Sequence, residues 1–170
     1  MRKGLPAAAL ADAVRQYGAD VLASGGMAME KGWIQHGSVS VFAHSFAVAC
    51  LALWLAQRLN WKVDRRSLVR GALLHDYFLY DWHQKDPSHR FHGLIHARRA
   101  LENAQREFPL NPVERDIVLR HMFPLNLTPP RYRESVLVCA ADKLCALWET
   151  LSVEKFLAAW AYEGGQSAEK

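Results

Sequence analysis

Apolar residues recur at helical spacing along most of the chain. In the most regular segment they are separated by three, four or seven residues, as on one face of a helix: Val41, Val48, Leu51, Leu55 and Leu59. Ser38 precedes this run directly after a glycine, and serine is a favoured residue at a helix N-cap. The pattern therefore predicts a helix that begins after Ser38 and ends near Leu59.

The same periodicity predicts further helices, at about 5–29, 64–76, 96–108, 112–122, 133–148 and 153–162. The first helix is expected to break near Ser24, and Asp64 is the expected N-cap of the second. No segment shows the alternation of a strand. The predicted fold class is all-α: a single-domain helical bundle over residues 1–170, with a core at about 33–149 and a frayed tail at 164–170.

Composition narrows the class of protein further. Of the 170 residues, 51% are hydrophobic and 22% are charged, as in an ordinary globular domain, and no apolar run reaches the length of a membrane span. The formal net charge of +4 favours an anionic substrate and is too weak and scattered to indicate nucleic acid. The three cysteines fit core positions in a reducing cytoplasm. We therefore expect a cytoplasmic protein without a membrane partner.

Several histidine and aspartate residues stand on the apolar faces of the predicted helices. His44 lies on the apolar stripe of its helix, and His75 and Asp76 stand where an apolar helix ends. His121 and Asp142 also occupy apolar faces. A buried imidazole or carboxylate is costly unless a partner compensates it. One such residue is usually a satisfied core residue, but several together indicate a shared cation.

A divalent transition metal fits this set, because such ions favour imidazole and carboxylate ligands. His96, at the expected start of its helix, adds a sixth candidate ligand. The chain contains no CxxC pair and no HExxH sequence, which argues against a zinc finger and a zincin protease. We predict one or two divalent ions, with Fe, Mn, Zn, Ni and Mg all open.

The order of these residues resembles the HD-domain metal-dependent phosphohydrolase superfamily over about residues 33–149. The sequence GALLHDYFLYDW, which contains His75 and Asp76, is similar to the central helix of that superfamily. The resemblance implies an all-α bundle and these ligands for one metal: His44, His75, Asp76 and Asp142. His96 and His121 resemble the two-metal branch, which includes cyclic nucleotide and cyclic dinucleotide phosphodiesterases. There they would hold a second metal that Asp76 shares with the first.

The resemblance implies hydrolysis of a phosphomonoester or phosphodiester by a metal-activated water. The substrate would be a nucleotide or another small phosphorylated metabolite. Asp76 is the expected catalytic centre, and the loop that follows it offers Asp81 and His83 as proton donors. The side chains expected to contact the phosphate are His92, Arg99 and Lys143. Each of these residues outside the ligand set also has an ordinary interpretation as a solvated or capping side chain.

Two departures leave the substrate open. HD nucleotidases of the deoxynucleotide type carry Glu three residues after the HD aspartate, where this chain has Leu79. The Gly-Tyr-Pro motif of another HD phosphodiesterase group does not occur in the sequence.

Two alternative functions remain. The inositol oxygenase family uses a similar set of His and Asp residues to hold two irons in an HD-like fold, and oxygen consumption would distinguish it. A non-catalytic HD module that binds a nucleotide is the third hypothesis, although the complete set of ligands argues against it. The sequence leaves the oligomeric state open.

Overall fold

The computed structural model describes residues 6–81 and 92–151, with the backbone alone for residues 92–94. Helices dominate these residues, which confirms the predicted all-α class. The helices are α1 Ala7–Tyr17, α2 Ala19–Leu22, α3 Gly25–Glu30, α4 Val41–Arg58, α5 Arg65–Leu74, α6 His92–Glu107, α7 Pro112–Arg120 and α8 Arg133–Thr150. The helix predicted at 153–162 and the tail at 164–170 lie outside the described residues.

The N-terminal region contains three helices where one broken helix was predicted. The expected break near Ser24 is present, and the Ser24 hydroxyl accepts a hydrogen bond from the Met27 N–H as the N-cap of α3. A second break, at Gly18, was not predicted. A Cβ atom at Gly18 would lie 2.4 Å from Leu73 Cδ1, so this position lets the chain pass close to α5.

A short hairpin precedes α4 and contradicts the expectation that the chain has no strand. Strand β1, Ile34–His36, pairs antiparallel with β2, Val39–Ser40. Strands of three and two residues are too short to show alternation in the sequence. The N-cap of α4 is accordingly Ser40, two residues later than predicted, and its hydroxyl accepts from the Ala43 N–H.

Helix α4 forms the centre of the core. It packs mainly on α5 and α8, and its residues 44–53 are all buried. Within the described part of the chain, α4 is the one helix long and apolar enough to cross a membrane, with a mean hydropathy of 1.3. Its 67% burial against neighbouring elements is that of a core helix.

Helices α5 and α7 lie in close contact because α5 carries a glycine at their crossing. A Cβ atom at Gly71 would lie 2.4 Å from Ile117 Cδ1 and 3.0 Å from Ile117 Cβ. Each helix begins at a side-chain cap, Asp64 for α5 and Asn111 for α7. The close crossing therefore fixes the position of the end of α7 relative to the end of α5.

A buried ion cluster also joins these two helices. Arg70 on α5 is 3% exposed, and its Nε donates to Glu114 Oε1 of α7 at 2.6 Å. Its guanidinium donates to Asp20 as well. The positive charge of Arg70 thus has two carboxylate partners.

Candidate metal centre

All six predicted metal ligands are buried and converge on one place. Their exposed fractions lie between 0% and 9%. Five separate segments supply them: α4, the residues after α5, α6, the residue after α7, and α8. The residues are His44, His75, Asp76, His96, His121 and Asp142.

Asp76 lies at the centre of this cluster, with its two oxygens directed to different histidines. Oδ2 is 3.4 Å from His75 Nε2 and 3.9 Å from His44 Nε2. Oδ1 is 3.4 Å from His96 Nε2 and 3.5 Å from His121 Nε2. The carboxylate therefore divides the cluster into two groups of donor atoms.

The first group is completed by Asp142. Its Oδ1 lies 3.2 Å from His44 Nε2 and 3.7 Å from His75 Nε2. Donor atoms that share an ion at about 2.1 Å lie roughly 3.0–3.5 Å apart at tetrahedral or octahedral angles. The observed spacing is close to that expected for one ion.

The second group contains two histidines and the other oxygen of Asp76. His96 Nε2 and His121 Nε2 are 2.9 Å apart. With Asp76, they form a set of three donor atoms that could hold a metal ion. His96 does not begin its helix as predicted, because α6 begins at His92 and places His96 one turn inside it.

Unpaired polar atoms mark both groups. His75 Nε2 in the first group and Asp76 Oδ1 in the second are buried without a hydrogen-bond partner. Native proteins pair nearly all such atoms, because an unpaired buried donor or acceptor loses its hydration without compensation. A cation at each position would supply the missing partner, so these residues fit a bound metal.

Backbone carbonyls fix the tautomers of two histidines. His75 Nδ1 donates to Ala72 O at 2.7 Å, and His121 Nδ1 donates to Val118 O at 2.8 Å. These carbonyls belong to the last turns of α5 and α7, where the helix provides few partners for them. With the proton on Nδ1, each neutral ring directs the lone pair of Nε2 into the cluster.

Two further side chains support the cluster and were missed in the sequence analysis. Both Glu149 oxygens lie close to His44 Nδ1, at 2.9 and 3.0 Å. Gln35 on β1 donates from Nε2 to Asp76 Oδ2. The only sequence signal for Glu149 is its place seven residues after Asp142, two turns along the same helix.

Without a metal, burial and neighbouring charges shift the pKa values of the cluster residues in different directions. Burial alone would lower the pKa of His44, but its hydrogen bonds to Asp142 and Glu149 raise it to about 10. Burial would raise the pKa of Asp76, but the surrounding histidines, His75 foremost, lower it to about 2. Burial, followed by repulsion from neighbouring histidines, lowers the pKa of His121 to about 3. At neutral pH a proton on His44 thus occupies the place suited to a cation.

A cavity of about 600 Å³ opens onto the cluster. Asp76, Asp142 and both histidines of the second group line it. Lys143 also lines the cavity, and its Nζ donates to His121 O at 2.7 Å. The remaining wall residues are Gln35, His36, Met122, Pro124, Leu125 and Ala146.

The structure does not bring every predicted site residue to this cavity. Asp81 is half-buried, and the Arg99 guanidinium lies 5.3 Å from the centre of the Tyr80 ring. Neither Asp81 nor Arg99 is among the described residues that line the cavity. His83 and the side chain of His92 lie outside the part of the chain that the structure describes.

Comparison with protein families gives one match. The family profile described as HD domain matches residues 41–147, which include all six candidate ligands and end two residues before Glu149. Searches of curated proteins and of solved structures found no match to this chain.

Proposed function

Because this chain belongs to the HD domain family, we propose that it is a metal-dependent phosphohydrolase acting on a small phosphorylated substrate. The observation that carries the proposal is the arrangement around Asp76, whose two oxygens face two separate sets of donor atoms. Such an arrangement suits two divalent ions that share one carboxylate, as in many enzymes that cleave phosphoesters.

We assign two metal positions to this geometry. His44, His75, Asp142 and Asp76 Oδ2 would form the first position, and His96, His121 and Asp76 Oδ1 the second. Divalent ions bound there, such as Fe, Mn, Zn, Ni or Mg, would act as Lewis acids on a water and on the phosphate oxygens.

The chain's own residues would bind and orient the substrate. The Lys143 ammonium donates to His121 O at 2.7 Å, and its two contacts to Cys139, with O and Sγ, are longer at 3.4 Å each and could be exchanged for a ligand. It lies 3.9 Å from Asp142 Oδ2, beside the first position. It would donate to a phosphate oxygen. Met122 and Leu125 form part of an apolar wall suited to the organic part of the substrate. The volume lies within the range of about 300–1,000 Å³ typical of small-molecule sites.

The proton donor to the leaving oxygen belongs, in this proposal, to the segment after Asp76. Asp81 and His83 follow it by five and seven residues and remain our predicted donors. His92 and Arg99 remain predicted phosphate contacts.

A substrate screen with defined metal content tests the proposal. Protein reconstituted with each metal should release phosphate or cleave a diester, and chelation should abolish this activity until metal returns. Lys143→Met should raise KM more than it lowers kcat, because it removes a contact to the phosphate. Lys31→Met is the matched control, because Lys31 is exposed and does not line the cavity.

Full metal loading without hydrolysis of any phosphoester would contradict the proposal. Oxygen consumption by the iron-loaded protein would then support the oxygenase hypothesis instead.

A further inference from the structure

We propose that Glu149 is a positioning residue that makes the first metal position bind its ion more tightly than the second. The inference rests on the two-position site of the proposed function. It adds a residue outside the six candidate ligands and an order of metal loading.

The contact that carries this proposal is short and fully enclosed. The Glu149 oxygens lie 2.9 and 3.0 Å from His44 Nδ1, and both side chains are 0% exposed. Because a carboxylate only accepts, Nδ1 carries the proton in this contact. The ring is thereby held with Nε2 directed to Asp142 Oδ1, 3.2 Å away. A carboxylate behind a histidine also makes the imidazole a stronger metal ligand.

Two histidines of other segments, His75 and His121, have weaker support. His75 and His121 donate to the neutral carbonyls of Ala72 and Val118, which fix the tautomer but add no net charge. Among the histidines whose Nδ1 contact is described, His44 alone has a carboxylate behind it. The negative charge of Glu149, on the far side of the His44 ring, favours a cation at the first position.

The two positions also differ in the carboxylates that surround them. Asp142 belongs to the first position, Asp76 is shared, and Glu149 adds a third carboxylate behind His44. In the donor set of the second position, the shared Asp76 is the only carboxylate. The larger negative charge should give the first position the higher affinity for a divalent ion.

One helix supplies both unshared carboxylates. Asp142 and Glu149 are seven residues apart on α8, so two turns place them on the same face. Glu149 lies beyond residue 147, where the HD domain match ends. The contact between Glu149 and His44 Nδ1 therefore depends on a residue of α8 outside the matched region.

Titration of the metal-free protein with Co²⁺, in competition with a chromophoric chelator, tests the proposal. The wild type should bind two ions in separable steps, the first being tighter. Glu149→Gln keeps the shape and an accepting oxygen but removes the charge. It should weaken the first step by about 10- to 100-fold and leave the second unchanged. The visible spectrum of the first bound Co²⁺ should also change, because its His44 ligand is altered.

Glu114→Gln is the matched control, since Glu114 is another buried glutamate with one close charged partner, Arg70. It should lower thermal stability and leave both Co²⁺ affinities and the spectrum unchanged. Glu149→Asp, which keeps the charge on a shorter side chain, replaces Glu149→Gln if that variant does not fold. It should also weaken the first step.

Three outcomes would overturn the proposal. These are unchanged Co²⁺ binding and spectrum in folded Glu149→Gln, equal weakening of both steps, and a wild type whose two steps have equal affinity. A wild type that binds a single ion would remove the second position from the proposed function and the loading order with it. The effect of Glu149→Gln on that single ion would still decide the positioning role separately.

Discussion

Two buried charged clusters lie one in the middle of α5 and one directly after its end, and they differ in how completely their atoms are paired. Arg70 is balanced by Glu114 and Asp20 from neighbouring helices. Five residues later, His75 and Asp76 begin a cluster in which His75 Nε2 and Asp76 Oδ1 have no hydrogen-bond partner. Arg70 and Asp76 are almost equally buried, with exposed fractions of 3% and 2%. Burial of charge is therefore common to both clusters, and the missing partners distinguish the candidate site.

The position of each cluster in the fold explains this difference. Arg70 lies in the middle of α5, where the adjacent α7 and the residues near α2 close around it. The second cluster gathers where α5 and α7 end, and it borders the cavity. The first arrangement joins helices, whereas the second leaves donor atoms directed at a space that an ion could occupy.

The largest effect is expected from Asp76→Ala. Loss of the shared carboxylate should release metal from both positions and abolish hydrolysis. The loss of affinity should exceed the roughly 10- to 100-fold effect of removing a residue behind a ligand. Elemental analysis and Co²⁺ titration measure it. Full metal content in folded Asp76→Ala would show that the two clusters do not differ as described.

Arg70→Met should have the opposite effect, lowering stability without changing metal content. It leaves Glu114 buried without its counter-charge, and breaking one half of a buried ion pair destabilises a protein by about 3–5 kcal/mol. Urea denaturation of the metal-free protein measures this loss, while metal content should equal that of the wild type. Unchanged stability, or metal loss in the folded variant, would contradict a purely structural role.

The pH dependence of the free energy of unfolding should also distinguish the two clusters. In the metal-free protein the pKa of His44 is raised from 6.5 to about 10. Its contribution to stability is therefore complete below pH 6.5 and is lost as the pH rises through 10. The Arg70 guanidinium stays charged over this range. Thermal unfolding in chelator should show the decline in wild type.

Metal should reverse this trend. Ligation requires neutral His44, so a higher pH favours binding and stabilises the loaded protein. Stability in chelator that stays flat from pH 6.5 to 10 would exclude protonated His44 as the substitute for the ion.

The smallest effect is expected at an ion pair that lies in solvent, where burial does not contribute. Arg98 Nε and Glu102 Oε1 are 3.5 Å apart on α6, and their side chains are 82% and 54% exposed. Arg98→Gln should change the free energy of unfolding by no more than about 0.5 kcal/mol, since water screens such pairs. Urea denaturation at low and high salt measures it. A loss comparable to that of Arg70→Met would show that burial is not the controlling variable.

The sequence was sufficient for the parts of the site that depend on position within one helix. Periodicity placed His44, His121 and Asp142 on apolar faces, and each is buried in the cluster. It could not identify Glu149, because its partner His44 is 105 residues away and the contact depends on how α4 packs on α8. Gln35 was missed for a similar reason, since it reaches Asp76 from a hairpin too short to show strand alternation.

The position of the site's donor atoms also depends on Gly71, a residue that carries no donor atom itself. An alanine there would press on Ile117 and push α7 away from α5. His121 follows the last residue of α7, so its ring would shift relative to Asp76, now 3.5 Å away. In a genetic screen, a substitution at Gly71 would resemble the loss of a ligand. A smaller residue at position 117 would be its natural suppressor.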